Sequence, residues 1–170
     1  MNSIRGKRNL TDRRDDLLMI FLGATEEHSA RFCVIGGQAL NLYAKPVLTT
    51  GLDLVVEAGR WPKVREALEG RVTIVEHSDC VEIHGQGSGQ RLRVWTDPRL
   101  QDFIPRARLR TIRGFKMCVA APEDLLQSQV WIAQDESRPE TERQRARGNM
   151  ERLVRAMPEL ETLLPQDVAP

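Results

Sequence analysis

The chain has 170 residues, enough for one domain with a real core, or one domain with a helical extension. Its 25 Lys and Arg against 24 Asp and Glu give a net charge of +1, which excludes a global electrostatic bias toward nucleic acid or membrane surfaces. No apolar run reaches the roughly 20 residues of a membrane span, no secretory cleavage pattern is visible, and three cysteines without a CxxC spacing suit a reducing cytoplasm.

In chain order, residues 1–10 are basic and read as a flexible tail. Thr11 is a candidate N-cap for a helix running to about Glu27, burying Leu17, Leu18, Phe21 and Leu22. Residues 32–56 then carry the pattern around which the rest is organised. Phe32, Cys33, Val34 and Ile35 form a short apolar strand, and Gly36 and Gly37 open an amphipathic helix through Tyr43. A loop with Pro46, Thr49 and Thr50 leads into a second apolar strand, 52–56, with Asp53 set inside it. Glycines at a helix mouth let backbone N–H groups approach phosphate oxygens. A carboxylate inside a buried strand is costly unless it faces a cation or donors. The pair of features predicts a nucleoside triphosphate (NTP) held by Gly36, Gly37, Thr49 and Thr50, with Mg²⁺ held by Asp53.

Downstream, Trp61-Pro62 opens a helix stopped by Gly70, and residues 71–76, 80–84 and 91–96 read as strands. The glycine-rich stretch 85–89 lacks the strand-to-helix context of a phosphate cradle and reads as a hairpin loop. His77, Cys80 and His84 have zinc-ligand chemistry. However, no fourth partner has a tidy spacing, and positions 77 and 84 point to opposite faces of an extended chain, so they read as exposed hairpin histidines. Residues 98–113 are the most basic part, with Arg99, Arg106, Arg108, Arg110 and Arg113 against Asp102. Only Phe103 and Phe115 stand ready to stack on bases, so a solvated face is preferred over an RNA surface. One strand through 112–119 follows, then a Pro122 helix with Leu125, Leu126, Val130 and Trp131 inward. A long helix over 139–157 directs Met150, Leu153 and Val154 inward and its arginines outward.

The run Ile35-Gly36-Gly37-Gln38-Ala39, followed by Thr49-Thr50-Gly51-Leu52-Asp53, resembles the nucleotidyltransferase fold of DNA polymerase β type. The resemblance is to its small bacterial branches, which include abortive-infection and toxin–antitoxin proteins, and it extends over about 32–160. It implies an α/β (α+β) architecture: a mixed sheet flanked by helices over 11–120 and a helical C-terminal extension over 121–160, while the basic segment 1–10 and the Pro-bounded end 161–170 read as flexible from their composition. It also implies a Thr-x-Asp-x-Asp strand, of which this chain keeps only Asp53, because Gly51 stands in the place of the first aspartate. Nor does local fold preference account for Gly51, since a glycine inside a strand weakens it. A third carboxylate is implied on a downstream strand. Arg93 occupies the matching pattern, and Glu82 is the substitute metal ligand, with Asp97 a further candidate that reads more plainly as a helix cap. Gln129 and Asn149 stand where the resemblance implies a Lys and an Asp.

These departures remove charges that metal-dependent phosphoryl transfer uses, a loss of roughly 10²–10⁴ in rate. Three readings follow. In the favoured one, the fold is kept as a catalytically impaired module that binds a nucleotide or a protein partner. In the second, an active metal-dependent enzyme moves a nucleoside monophosphate to an RNA, protein or small-molecule acceptor, with Asp53 catalytic. In the third, Gly36-Gly37 is a packing turn and Asp53 a hydrogen-bonded structural residue.

Overall fold

A computed structural model describes residues 16–87 and 89–168. Helix α1 (Leu17–Glu27) is capped by Asp16, whose side chain accepts from Leu18 N. The expected cap, Thr11, and the basic segment 1–10 lie outside the described residues. Next come β1 (Phe32–Ile35), α2 (Gly36–Tyr43), β2 (Leu52–Val56) and α3 (Trp61–Leu68). The strands β3 (Val72–Glu76), β4 (Cys80–Gly85) and β5 (Arg91–Trp95) follow, and a 3-10 helix spans Pro98–Arg106. The chain continues with β6 (Arg108–Ile112), β7 (Phe115–Val119), α4 (Pro122–Gln134) and α5 (Glu140–Ala156). A second 3-10 helix spans Pro158–Leu163, and Leu164 and Val168 beyond it pack on the core.

The strands form one mixed seven-stranded sheet in the order β3-β4-β5-β2-β1-β7-β6. β1 runs antiparallel to β2 and parallel to β7, and β2 runs parallel to β5. The expected single strand over 112–119 is instead the hairpin of β6 and β7. Its turn residues Arg113 (φ 51°) and Gly114 (φ 82°) both adopt positive φ, the conformation of a tight two-residue hairpin turn. β6 is an edge strand, and its Arg108 and Arg110 are exposed, which discourages edge-to-edge pairing.

Period-two alternation sorts the central strands into two faces. On β2, Leu52 and Leu54 are fully buried around a half-buried Asp53; on β5, Leu92 and Val94 are buried around Arg93. The apolar face closes the core beneath α1, which packs on α3 and β5. The polar face carries Asp53, Arg93, Trp95 and Glu82. α2, α4 and α5 pack on one another beside it, leaving a cleft between sheet and helices.

Candidate functional site

The cleft encloses about 1060 Å³, and the sheet side is its floor. Asp53, Arg93 and Glu82 lie side by side across β2, β5 and β4, because Asp53 is in register with Arg93 and Arg93 with Glu82. Arg93 therefore stands between the two carboxylates expected to share a metal. Its Nη2 donates to Asp53 Oδ2 at 3.2 Å, while its Nε lies 2.8 Å from Asp53 Oδ1 with its N–H poorly aimed for a hydrogen bond. Trp95 Nε1 donates to Asp53 Oδ1 at 2.9 Å. Both oxygens of Asp53 are thus already in contact with protein groups.

Glu82 is engaged separately. Its Oε2 lies 3.1 Å from His84 Nε2 and 3.7 Å from His77 Nε2, and its Oε1 lies 3.5 Å from Arg91 Nη1. The expectation that His77 and His84 face apart is overturned. The chain turns after β3, with His77 N bonded to Cys80 O, and both rings converge on one carboxylate. Cys80 is buried in this wall, and burial, followed by the nearby Asp79, pushes its thiol up to about 11. Asp97 is a cap: it accepts from Arg99 N at 2.9 Å, and the Arg99 guanidinium holds its carboxyl below the ordinary value.

The fold's chemistry implies a divalent cation, so the fit of these residues decides whether one belongs here. Among the described residues no group of three or more His, Cys, Asp or Glu side chains is placed to hold a metal ion. Asp53 is a lone carboxylate whose charge Arg93 balances, and Glu82 is two strands away. The residues present do not fit a two-metal centre.

Gly51 proves to have a local reason that its sequence context hides. It lies just before β2 with φ +72°, and a Cβ there would sit 2.9 Å from the backbone oxygen of Arg91. With this backbone a side chain at position 51 would be strained, so the conformation favours glycine. Gly36 (φ +67°) and Gly37 are also crowded, in both cases by side chains, and of the two only Gly36 has a positive φ. A Cβ on Gly36 would lie 2.5 Å from Asp53 Oδ2, and one on Gly37 would lie 2.4 Å from Thr49 Cγ2. The glycines thus bring the start of α2 against Asp53 and Thr49, as close approach of backbone requires. Thr49 Oγ1 accepts from Gln38 Nε2 at 2.8 Å, and Thr50 Oγ1 accepts from Arg91 Nη2 at 3.2 Å. Each hydroxyl keeps its own O–H to donate, and Gly36, Gly37, Thr49, Thr50 and Asp53 all line the cleft.

The helical wall holds residues that the sequence reading missed. Asn149 Nδ2 donates to Gln129 Oε1 at 2.9 Å, so the two amides standing where a Lys and an Asp are implied pair with each other. Arg152 continues this network: its Nη1 donates to Asn149 Oδ1, its Nη2 to Asn41 Oδ1 and Lys45 O, and its Nε to Lys45 O. Asn41 in turn exchanges two hydrogen bonds with Val47 in the loop above the cleft. The arginines of α5 therefore do not all point outward. Arg143 and Arg147 pair with Glu140, but Arg145 and Arg152 line the cleft. Their spacing with Asn149, at i, i+4 and i+7, was the available signal. At the far end Arg138 joins Asp79, Asp135 and Glu142 within 3.4 Å, tying the β3–β4 turn to the α4–α5 junction.

No protein-family model matches the chain, and no curated protein matches it. Solved structures do. The chain is similar to ANT(2″)-Ia in complex with adenylyl-2″-tobramycin, at a TM-score of 0.60 and 15% identity over 89% of this chain and 94% of that one. It is also similar to the lincosamide antibiotic adenylyltransferase LnuA, lincomycin-bound, at 0.51 and 14% identity over 80% and 95%. An antigenic nucleotidyltransferase-like protein from Paracoccidioides brasiliensis aligns at 0.54 and 14% identity over 89% and 82%. The chain has a nucleotidyltransferase fold, a mixed sheet flanked by helices, and among the described residues no helix is long and apolar enough to cross a membrane.

Proposed function

We propose that this protein is a nucleotide-binding module of nucleotidyltransferase fold whose metal-dependent transfer is lost or strongly impaired. The observation that carries the reading is the Arg93–Asp53 ion pair. A guanidinium sits where the resemblance implies a third carboxylate, and it supplies the positive charge that a cation would otherwise bring to Asp53. The replacements are complementary in charge: Arg93 balances Asp53, and the neutral Gln129 pairs with the neutral Asn149. Mutual satisfaction of that kind is what a site remodelled for binding requires, since an unpaired buried charge or amide would cost stability. The cleft itself favours a ligand over the packing-turn reading, because about 1060 Å³ remains above Asp53 and the Gly36-Gly37 turn.

The test is calorimetric titration of the full chain with ATP, CTP, GTP and UTP, in EDTA and in Mg²⁺, alongside transfer assays with labelled NTPs. Because two of the similar structures hold adenylyl-2″-tobramycin and lincomycin, tobramycin and lincomycin serve as trial acceptors. The reading expects nucleotide binding that is insensitive to EDTA and no Mg²⁺-dependent product. Binding that requires Mg²⁺, or labelled product with any acceptor, would establish the active-transferase reading instead. Absence of all nucleotide binding would overturn the proposal and favour the reading of Gly36-Gly37 as a packing turn with Asp53 a structural residue.

A further inference from the structure

The charges lining the cleft do not cancel uniformly. Five arginines reach it, and three are matched by carboxylates: Arg93 by Asp53, Arg99 by Asp97, and Arg138 by three acids at once. Arg145 and Arg152 have no ion pair among the described residues, and both lie on the cleft-facing stripe of α5. All the oxygens around Arg152 belong to amides and backbone carbonyls; they engage Nε, Nη2 and one N–H of Nη1, leave the second Nη1 N–H open, and do not neutralise its charge. Desolvation, unopposed by any carboxylate, lowers its pKa from the ordinary arginine value. A partly buried cation left without a counter-ion is costly until an anion arrives.

We propose that Arg145 and Arg152 of α5 are the anion anchors of this cleft and that they hold the phosphate chain of the ligand directly, without a metal. Seven residues of helix separate them by about 10 Å along the axis. An oligophosphate presents oxygens along its chain and so can meet both guanidinium groups across such a span. Facing the stripe are the Thr49 and Thr50 hydroxyls and Gly37, which supply neutral donors to the same oxygens. The cation implied on α4 is Gln129 here, so the positive charge of the helical wall has moved to the next helix. Arg145, with no hydrogen bond or ion pair among the described residues, presents a whole planar fork of N–H donors to phosphate oxygens, and Arg152 adds its charge and its remaining Nη1 N–H. The inference rests on the nucleotide-binding reading and names the residues that would grip the nucleotide.

The experiment compares binding of inorganic tripolyphosphate and of ATP, both in EDTA, to the parent chain, Arg145→Ala, Arg152→Lys and Arg147→Ala. Arg145 is exposed and makes no hydrogen bond or ion pair among the described residues, so its removal leaves the fold intact. Arg147 serves as the control on the same helix, because it pairs with Glu140. Arg145→Ala is expected to weaken both ligands roughly tenfold or more. Arg152→Lys keeps the charge and is expected to retain measurable binding, while Arg147→Ala stays within about twofold of the parent, less than one charge-assisted hydrogen bond. Binding to the parent should weaken as salt is raised. If Arg145→Ala matches Arg147→Ala while ATP still binds, the α5 assignment fails and the nucleotide reading stands. If tripolyphosphate binds through Arg145 but no nucleotide binds, the nucleotide reading fails and the anion site stands. If neither ligand binds the parent chain, both fail.

Discussion

Removing the guanidinium of Arg93 should expose how the site balances its charge. In Arg93→Ala, Asp53 keeps only the Trp95 N–H as a close donor, in a side chain that is 13% exposed. Losing one member of a fully buried pair costs about 3–5 kcal/mol. Arg93 is 29% exposed, and one of its two contacts is poorly aimed, so screening reduces the expected cost to about 1–3 kcal/mol. For a chain of this length that is a drop in Tm of roughly 2–12 °C. Asp53→Asn in the same background removes the stranded charge, so the double variant should regain roughly 1 kcal/mol or more of coupling energy. Thermal and urea unfolding of the parent, both single variants and the double variant measure this cycle. Millimolar Mg²⁺ or Mn²⁺ should raise the Tm of Arg93→Ala and leave the parent unchanged, because only the variant presents an unbalanced carboxylate to a cation. Strict additivity in the cycle, or equal stabilisation of parent and variant by Mg²⁺, would refute the idea that Arg93 occupies the cation's role.

The glycines give two sharper steric tests. Gly51→Asp places a side chain at φ +72° and within 2.9 Å of the Arg91 carbonyl, so it should lose about 1–2 kcal/mol from backbone conformation alone and create no Mg²⁺ affinity, as unfolding and metal titration would reveal. Gly37→Ala drives a Cβ into Thr49 Cγ2 and should cost about 1–3 kcal/mol. Adding Thr49→Ser removes that methyl while keeping the hydroxyl that accepts from Gln38, and it should recover part of the loss. Asp97→Ala should cost about 1 kcal/mol near neutrality through the lost cap. Because Arg99 holds the folded carboxyl below the ordinary 3.8, the Asp97 contribution is full above that pH and fades as pH falls through the lower folded value. The stability difference between parent and variant should therefore shrink in unfolding curves as pH is lowered below the ordinary carboxylate value of 3.8, and a difference that grew with acid would contradict the sign.

By itself the sequence determined the order of the elements and the class of the fold. A continuous apolar run placed β1, apolar residues alternating with polar ones placed β2, β4 and β5, the Gly36-Gly37 pair marked the start of α2, and Pro122 marked α4, because these signals are local. The Arg113-Gly114 turn escaped notice because a positive-φ arginine has no composition cue, and two short strands merged into one. The site was legible as a set of positions and illegible as a set of partners. Asp53 and Arg93 are forty residues apart and meet only because β2 and β5 lie parallel in one register. Asn149 reaches Gln129, and Arg152 reaches Asn41, only because α5 packs on α4 and α2. Gly51 has a steric reason, its positive backbone angle and the nearby Arg91 carbonyl, that its sequence context does not show. Local periodicity fixes which face a side chain takes, but which charge it meets depends on strand order and helix packing, and those are settled only when the whole core closes.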